Sequence, residues 1–413
     1  PPVLRNRDYR NFWAGQTVSA IGSQFTVVAM GWHMLQLTDS ALLVGLIGLC
    51  RAVPQMILAI FGGLLADAVD RKKLMMAVQL AEFLVSFGIA VLTFVGAITP
   101  EWLFVGALLF SVGNALEYPA RQSIVPNLVE PSELAQAVAL FNTTRSIGAI
   151  IGPAMAGVTL AVAGTGACYL IDALSWLVMF VAMLFVRRPV QNEVQVGAAT
   201  LSGLLAGVRF VFTQPVILCF MILDFGATLF GQMTALLPIF ARDILQSGEI
   251  GYGVLNASSF VGAVLAGLFL SSVRVDQAGK AVLVGVAVFA VCGVIFAYAG
   301  TLWLACLGLF GMGVGNAFSA VLRSTSNQLL TPDHLRGRVA AFNSIFTTGG
   351  PQLGQFRSGV VAEVADARVS AASGALAALG LVLVIALIPR VRSFRLSEAT
   401  KAVEVSPAAA PAT

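Results

Sequence analysis

Apolar runs of about 20 residues, each long enough to span a ~30 Å hydrocarbon layer as a helix, recur along this 413-residue chain. They fall near 12–37, 41–66, 74–96, 102–128, 136–163 and 166–186, and again near 215–241, 250–273, 281–300, 302–328, 339–364 and 370–389. Apolar residues make up 58% of the sequence and charged residues 11%, against about 25% charged in an ordinary soluble domain. So little charge cannot cover a water-exposed surface, so lipid must face the outside. The expectation is an all-α membrane protein of twelve transmembrane helices, with six-helix bundles over 1–186 and 215–389.

Residues 187–214 form the linker. Within it Leu201, Leu204, Leu205, Val208 and Phe212 share one helical face, which reads as an amphipathic helix along the membrane surface or as an early start to the seventh span. Residues 390–413, rich in Ala and Pro after Arg395, lack apolar periodicity and read as a disordered tail. Pro1 to Arg10 is polar and the first apolar run is long enough to stay in the membrane, so no cleaved leader is expected.

Lys and Arg set the orientation. Arg5, Arg7, Arg10, Arg71, Lys72, Lys73, Arg187, Arg188, Arg209, Arg274, Lys280, Arg336, Arg338, Arg390, Arg392, Arg395 and Lys401 fall on one side, and only Arg242 and Arg368 on the other. The positive-inside rule then puts both termini in the cytoplasm. Cys50, Cys168, Cys219, Cys292 and Cys306 all lie in apolar runs, without disulfide or metal spacing. The two histidines, His33 and His334, are far apart in sequence, so neither a metal site nor a catalytic triad is expected. There is no G-x4-G-K-[ST] loop for ATP. The reading is of a non-enzyme without cofactors, acting as a monomer in the bilayer on small molecules and not on nucleic acid.

An internal repeat links the two sets of spans. Gly113-Asn114-Ala115 with Arg121 matches Gly315-Asn316-Ala317 with Arg323. Pro131-Ser132-Glu133-Leu134 matches Pro332-Asp333-His334-Leu335, and Phe141-Asn142 matches Phe342-Asn343. Parallel repeats about an axis along the membrane normal are a secondary-transporter architecture.

The loop after the second span, Gly62-Gly63-Leu64-Leu65-Ala66-Asp67-Ala68-Val69-Asp70-Arg71-Lys72-Lys73, resembles the signature loop of the major facilitator superfamily, departing from it at Ala68 and Asp70. The resemblance implies a cytoplasmic gate built from Gly63, Asp67, Asp70, Arg71 and Lys72. In the fifth span Gly148, Gly152, Pro153 and Gly157 resemble the antiporter motif of exporters in the superfamily, with Ala156 in place of one glycine. Small residues at this spacing make a smooth helix face, and the proline leaves a carbonyl free for a bend. The span-four arginine of the family's other common motif is absent, with Leu109 in its place.

Leu37-Thr38-Asp39-Ser40-Ala41, Pro119-Ala120-Arg121-Gln122-Ser123, Asp172-Ala173-Leu174-Ser175-Trp176, Leu237-Pro238-Ile239-Phe240-Ala241-Arg242-Asp243 and Pro332 to Val339 are similar to the subgroup of bacterial enterobactin exporters and macrolide and multidrug efflux proteins. That likeness covers nearly the whole chain and implies a bacterial inner-membrane location.

Ionisable residues inside spans are costly and are functional candidates by default. At ~1.5 Å per residue, Asp224 and Arg323 share one depth range, Glu82, Arg145 and Glu117 a second, and Arg51 and Asp172 a third. In the superfamily fold spans one, four, seven and ten line the cavity. Asp224, Glu117, Glu82 and Asp172 are the proton-coupling candidates, and Arg121, Arg323, Arg145 and Arg51 the substrate-cavity candidates. Structural ion pairs are the competing reading. Arg357 and His33 have no evident partner at their depths.

The functional expectation is a secondary exporter moving a lipophilic or siderophore-like molecule out of the bacterial cytoplasm in exchange for protons. A facilitator-type importer of a polar nutrient is the alternative, and it calls for more hydrogen-bonding side chains in the cavity-lining spans than Ala, Val, Leu and Phe supply. A membrane enzyme or receptor would need a catalytic cluster or a soluble domain that the sequence lacks.

Overall fold

The structure, a computed structural model, describes residues 2–68, 70–187, 201–273 and 275–397. Side chains of 59–68, 201–206 and 334 lie outside the described set. After a 3-10 turn (Pro2–Arg5) come α1 (Arg7–Thr38), α2 (Ala41–Ala68), α3 (Arg71–Phe94), α4 (Pro100–Leu128) and the long α5 (Leu134–Leu184). The short α6 (Leu201–Thr213) precedes α7 (Pro215–Gly231), α8 (Gly248–Ser272), α9 (Ala278–Ala297), α10 (Leu302–Leu330), α11 (Asp333–Val364) and α12 (Ala367–Ala386).

Helix starts follow capping chemistry, in which a side-chain oxygen takes up free N–H groups of the first turn. Asn6 accepts from Asp8 N and Tyr9 N at α1, Asp70 from Lys72 N and Lys73 N at α3, and Asp366 from Arg368 N at α12. At the other end of α3's loop partner, Lys72 Nζ donates to Val186 O at 2.7 Å, satisfying a carbonyl just past the end of α5.

Helix α5 is two crossings joined at Gly164, whose φ of 76° lies in a region that side chains other than glycine rarely adopt. Gly148 and Gly152 pack against Ala20 and Gln24 of α1, so this limb runs parallel to α1. Gly22 packs on Ser175 and Gly15 on Met179 and Ala182, so the limb beyond Gly164 runs back along it. Eight described helices are long and apolar enough to span alone: α2, α3, α4, α5, α8, α9, α10 and α12. With α5 counted twice and α1, α7 and α11 added, the described helices supply twelve crossings. Helices α1 and α11 carry too many polar residues to stand out by composition, and α7 has only 17.

The seventh span differs from the sequence expectation of a helix over 215–241. Helix α7 stops at Gly231, and Gln232 is extended (φ −71°, ψ 124°). A single turn (Leu237–Ile239) and a wide π turn (Phe240–Ile244) follow. The Gln232 side-chain oxygen accepts from Met233 N at 3.1 Å and Thr234 Oγ1 at 2.9 Å, so a side chain replaces the backbone acceptor lost at the break. Helix α6 meets α7 at 103°, and its Val211 is buried with Ile217, Met221 and Val339.

The linker residues 188–200 and tail residues 398–413 lie outside the described set. The start of the tail is docked: Phe394 O accepts from Gly279 N at 3.1 Å, and Leu396 N donates to Asp276 O at 2.9 Å. Ser397 N donates to Asp276 Oδ1 at 3.0 Å.

Two seams join the halves, both toward the end opposite the basic loops. In one, Gly157 of α5 meets Gly253 of α8; in the other, Gly45 of α2 meets Gly359 of α11. A Cβ added to either member of each pair would lie 2.7–2.8 Å from the partner's Cα. The antiporter-like glycines recur in α11, where Gly350 and Gly354 pack on Thr228 of α7 and on Gln232 just past its end, as Gly148 and Gly152 pack on α1. Around the seams Arg242 pairs with Asp39 at 2.5 Å, Trp32 stacks on Tyr252 with centroids 5.4 Å apart, and Glu363 accepts from Ser40 Oγ and Leu42 N. Large apolar side chains such as Trp303, Leu387 and Val162 are 80% to 85% exposed on the outer faces, as a lipid-facing surface requires.

Two outcomes follow. Gly157→Val, overpacking a backbone-to-backbone contact, should lower stability by about 1–3 kcal/mol. Gly267→Ala, in α8 with nothing within 4 Å, should raise it by up to about 1 kcal/mol; thermal unfolding in detergent measures both. At the docked tail, hydrogen bonds from the Ser397 hydroxyl and backbone, with Arg395 adding attraction, hold the Asp276 carboxyl below its usual range. A depressed folded value means that this docking is complete above about pH 4 and weakens as pH falls through the folded value. Protection factors at 394–397, corrected for the intrinsic pH dependence of amide exchange, should therefore fall at low pH, and at neutral pH in Asp276→Asn.

Candidate functional site: an amide-lined cavity beside buried charges

Between the halves lies a cavity of about 380 Å³. Gln24 of α1, the broken segment at Gln232, Asn256 of α8, Asn316 of α10 and Gln352 and Gln355 of α11 contribute amides to its wall. Thr228, Thr234 and Ser259 add hydroxyls, and Val27, Phe260, Phe289 and Met312 add apolar surface. Irregular backbone at membrane depth is tolerated where it lines such a cavity, which accounts for the break after α7. Across the halves Gln352 Nε2 donates to Gln55 Oε1. The lining corrects the expectation of walls made of Ala, Val, Leu and Phe. These amides escaped the sequence reading because they come from α1, α8, α10, α11 and the segment after α7, and only packing brings them to one space.

A second cavity of about 180 Å³, sharing Gln24, Arg51, Thr234 and Gln355 with the first, extends into the N-terminal half and is lined by Glu82 and Asp172. A third, of about 300 Å³, lies nearer the basic end and holds Gln16, Tyr118, Arg121 and Arg145. It shares Ser23, Gln24 and Asn114 with the second, so the three form a polar path toward the basic loops.

The candidate charges separate by geometry. Asp224 of α7 pairs with Arg323 of α10, which also donates to Ser319 Oγ at 2.7 Å; both charged residues are buried. Neither is among the residues lining the three cavities. Glu117 pairs with Arg121 one turn along α4, as the sequence spacing suggested, and Gln79 Nε2 donates to its other oxygen at 3.0 Å. Arg145 does not join them in an ion pair among the described residues; its guanidinium lies 5.6 Å from the centre of the Tyr118 ring.

Asp172 accepts through one oxygen from Thr26 Oγ1 at 2.7 Å and Ser86 Oγ at 2.8 Å, while its other oxygen has no partner among the described residues. Glu82 packs against Gly113 and likewise has one unpartnered oxygen. The Arg51 side chain lines both the first and second cavities, and its carbonyl accepts from Ser111 Oγ at 2.5 Å.

His33 contacts the Tyr169 hydroxyl through Nδ1 at 3.3 Å. Arg357 reaches two carbonyls and a hydroxyl, Phe230 O at 2.9 Å, Ser370 O at 3.4 Å and Ser373 Oγ at 3.0 Å. Both of these unassigned residues therefore tie helices together. In the signature loop Asp70 is the cap of α3 and Arg71 its first residue; the surroundings of Gly63 and Asp67 lie outside the described set.

Comparison with known proteins meets this geometry at each level. A family model described as transmembrane secretion effector matches residues 2–410. The chain belongs to this family of the major facilitator superfamily. It is 27% identical over 405 residues to the enterobactin exporter of Salmonella typhimurium, covering 93% of this chain and 94% of that one. It is 25% identical over 387 residues to macrolide efflux protein A of Streptococcus pyogenes, covering 86% and 89%. It is also 26% identical over 273 residues to the staphyloferrin A transporter of Staphylococcus aureus, covering 63% of this chain and 66% of that one. The fold matches a crystal structure of the nucleoside transporter NupG with a TM-score of 0.74 at 17% identity, covering 92% of this chain and 100% of that one. The family member is thus a multi-pass membrane transporter, with twelve helices in two pseudo-symmetric bundles.

Removing one member of a buried ion pair leaves an uncompensated charge, at a cost of about 3–5 kcal/mol. Asp224→Asn should therefore lower stability by roughly that much. The double variant Asp224→Leu/Arg323→Met should recover most of the loss, because an apolar pair of similar volume replaces both charges. Melting curves of the three purified proteins measure the difference.

Proposed function

We propose that the chain is a secondary exporter carrying a siderophore-like or lipophilic small molecule out of the bacterial cytoplasm in exchange for protons. The observation that carries this reading is the one-sided access of the amide-lined cavity. The two glycine seams close the end opposite the basic loops, and the polar path leads to the basic end. Basic loops face the cytoplasm under the positive-inside rule, so the cavity in this conformation takes its cargo from there, with both termini on that side of the inner membrane. The likeness to an enterobactin exporter and a macrolide efflux protein supports the same direction.

The residues divide the work as follows. Amides and hydroxyls from Gln24 to Gln355 hydrogen-bond a multifunctional cargo, and Phe260, Phe289 and Met312 take its apolar parts. Arg121 and Arg145 bring positive charge to the entry path and raise the local concentration of anionic cargo. Gly63, Asp67, Asp70, Arg71 and Lys72 latch the cytoplasmic side in the alternate state. Gly148, Gly152 and Gly157 let α5 slide on α1 and α8. Protons are the driving ion and the protein works as a monomer.

The amide lining also favours a second reading, a facilitator-type importer of a polar nutrient, which the sequence alone counted against. Reconstitution separates the two. In proteoliposomes a catecholate siderophore or a macrolide should move uphill, opposite to an imposed proton gradient. Movement only down the cargo's own gradient, indifferent to pH, would favour the facilitator.

A further inference from the structure

Around Arg51 the N-terminal half carries one interior carboxylate too many. Among the described residues the buried acids within its spans are Glu82, Glu117 and Asp172, and Arg51 lines one cavity with Glu82 and Asp172. Glu117 and Arg121 satisfy each other, with Gln79 completing the Glu117 carboxylate. That leaves Glu82 and Asp172 to share Arg51. Each lines the same cavity, each is at most 4% exposed, and each presents one oxygen with no partner among the described residues. The Trp176 indole N–H beside them makes no full hydrogen bond but acts on Asp172 as a weak donor. Two carboxylates beside one cation leave a vacancy for a single positive charge.

We propose that Glu82 and Asp172 together hold the one proton exchanged for cargo, and that Arg51 is the counter-charge they share with the cargo cavity. This rests on the exporter reading above and adds the residues that couple it. Neither α3 nor the second limb of α5 is among the spans that the sequence reading took to line the cavity, so the pair stands apart from Asp224 and Glu117. Those two are engaged by Arg323 and by Arg121 with Gln79.

The surroundings leave few other charges to balance the pair. Arg51 faces it from α2, and Glu117 with Arg121 from α4. From α1 comes the Thr26 hydroxyl, from α3 the Ser86 hydroxyl, and from α8 Tyr252. His33 and Tyr169 bond each other, and the Ser86 hydroxyl, 2.8 Å from Asp172, also lies 3.0 Å from Tyr169 O, so its one proton is shared between the two acceptors.

The exchange is an acid–base step. A proton arriving from the far side forms an O–H bond on one free carboxylate oxygen. It leaves to water along Ser23, Gln24 and Asn114 when the basic end is open. Arg51 reaches both cavities, so cargo that engages its guanidinium and proton occupancy of the pair are linked through one side chain.

The probe is the proton alone. Purified full-length protein in nanodiscs is carried between pH 5 and 9 while infrared difference spectra follow the carboxylic-acid C=O stretch. A reversible band is expected in wild type and in Asp224→Leu/Arg323→Met, reduced in Glu82→Gln and in Asp172→Asn, and absent in the Glu82→Gln/Asp172→Asn double variant. Wild-type protein 13C-labelled at aspartate side chains tests the pair without any substitution, since part of the band should move to lower frequency. No titrating band, an unmoved band on labelling, or a band intact in the Glu82→Gln/Asp172→Asn double variant overturns the assignment.

Transport in proteoliposomes keeps the two readings apart. If that double variant lacks the band yet still accumulates siderophore or macrolide against a proton gradient, the proton site is wrong and export stands. If the band behaves as expected but no gradient moves either compound, the site stands and proton-driven export of those compounds fails. The result that supports both is a double variant that exchanges cargo at equilibrium and no longer accumulates it.

Discussion

An unpaired polar group in hydrocarbon costs several kcal/mol, and most of this architecture is a response to that penalty. The backbone is satisfied within helices, and where α7 breaks, the Gln232 side chain and a wet cavity take over. Charges on spans are paired across helices, as with Asp224 and Arg323, or along one helix, as with Glu117 and Arg121. Arg357 uses carbonyls and a hydroxyl instead of an acid. Against that background the unpartnered oxygens of Glu82 and Asp172 stand with other unsatisfied atoms, such as Gln16 Oε1 and Gln352 Oε1, on residues that line the polar cavities.

The internal repeat is kept in packing more faithfully than in charge. The glycines Gly148, Gly152 and Gly157 have counterparts in Gly350, Gly354 and Gly359, touching Gln24 and Gln232, Gly253 and Gly45 in corresponding ways. Arg121 and Arg323 also correspond, but their carboxylates have changed places. In the N-terminal half the acid is one turn away on α4, where the other half has Ser319. In the C-terminal half it is Asp224 on α7, and the corresponding place on α1 is Gln16, whose side-chain oxygen is unpartnered. One arginine therefore binds two helices together and the other does not. Among the described residues a buried ion pair thus ties α7 to α10 in one bundle, and none ties α1 to α4 in the other.

Span number, the repeat and the division into halves could be read from the sequence because each rests on periodicity, which is local. Pairing of Asp224 with Arg323 and of Glu117 with Arg121 followed from depth and from helical spacing. Depth alone misplaced Arg145, which faces the Tyr118 ring, because it fixes height in the membrane and not the direction around the helix axis. The amide ring was hidden for the same reason: Gln24, Asn256, Asn316 and Gln355 come from four helices and share no interval. The break at Gln232 had a local signal in Gly231 before it and Pro238 after it, which composition averaged over a whole span conceals.

The contact of Glu363 with the start of α2 has a consequence for how the transporter cycles. Ser40 Oγ and Leu42 N both donate to this carboxylate from the other half, so the first turn of α2 borrows part of its cap across the seam. Parting of the halves at that end leaves Ser40 Oγ, which accepts from Leu43 N at 3.3 Å, as the cap and gives Leu42 N to water. The helix end is then half-capped in one state and fully capped in the other. Amide exchange in that single turn would report which way the protein faces, without a label and without cargo.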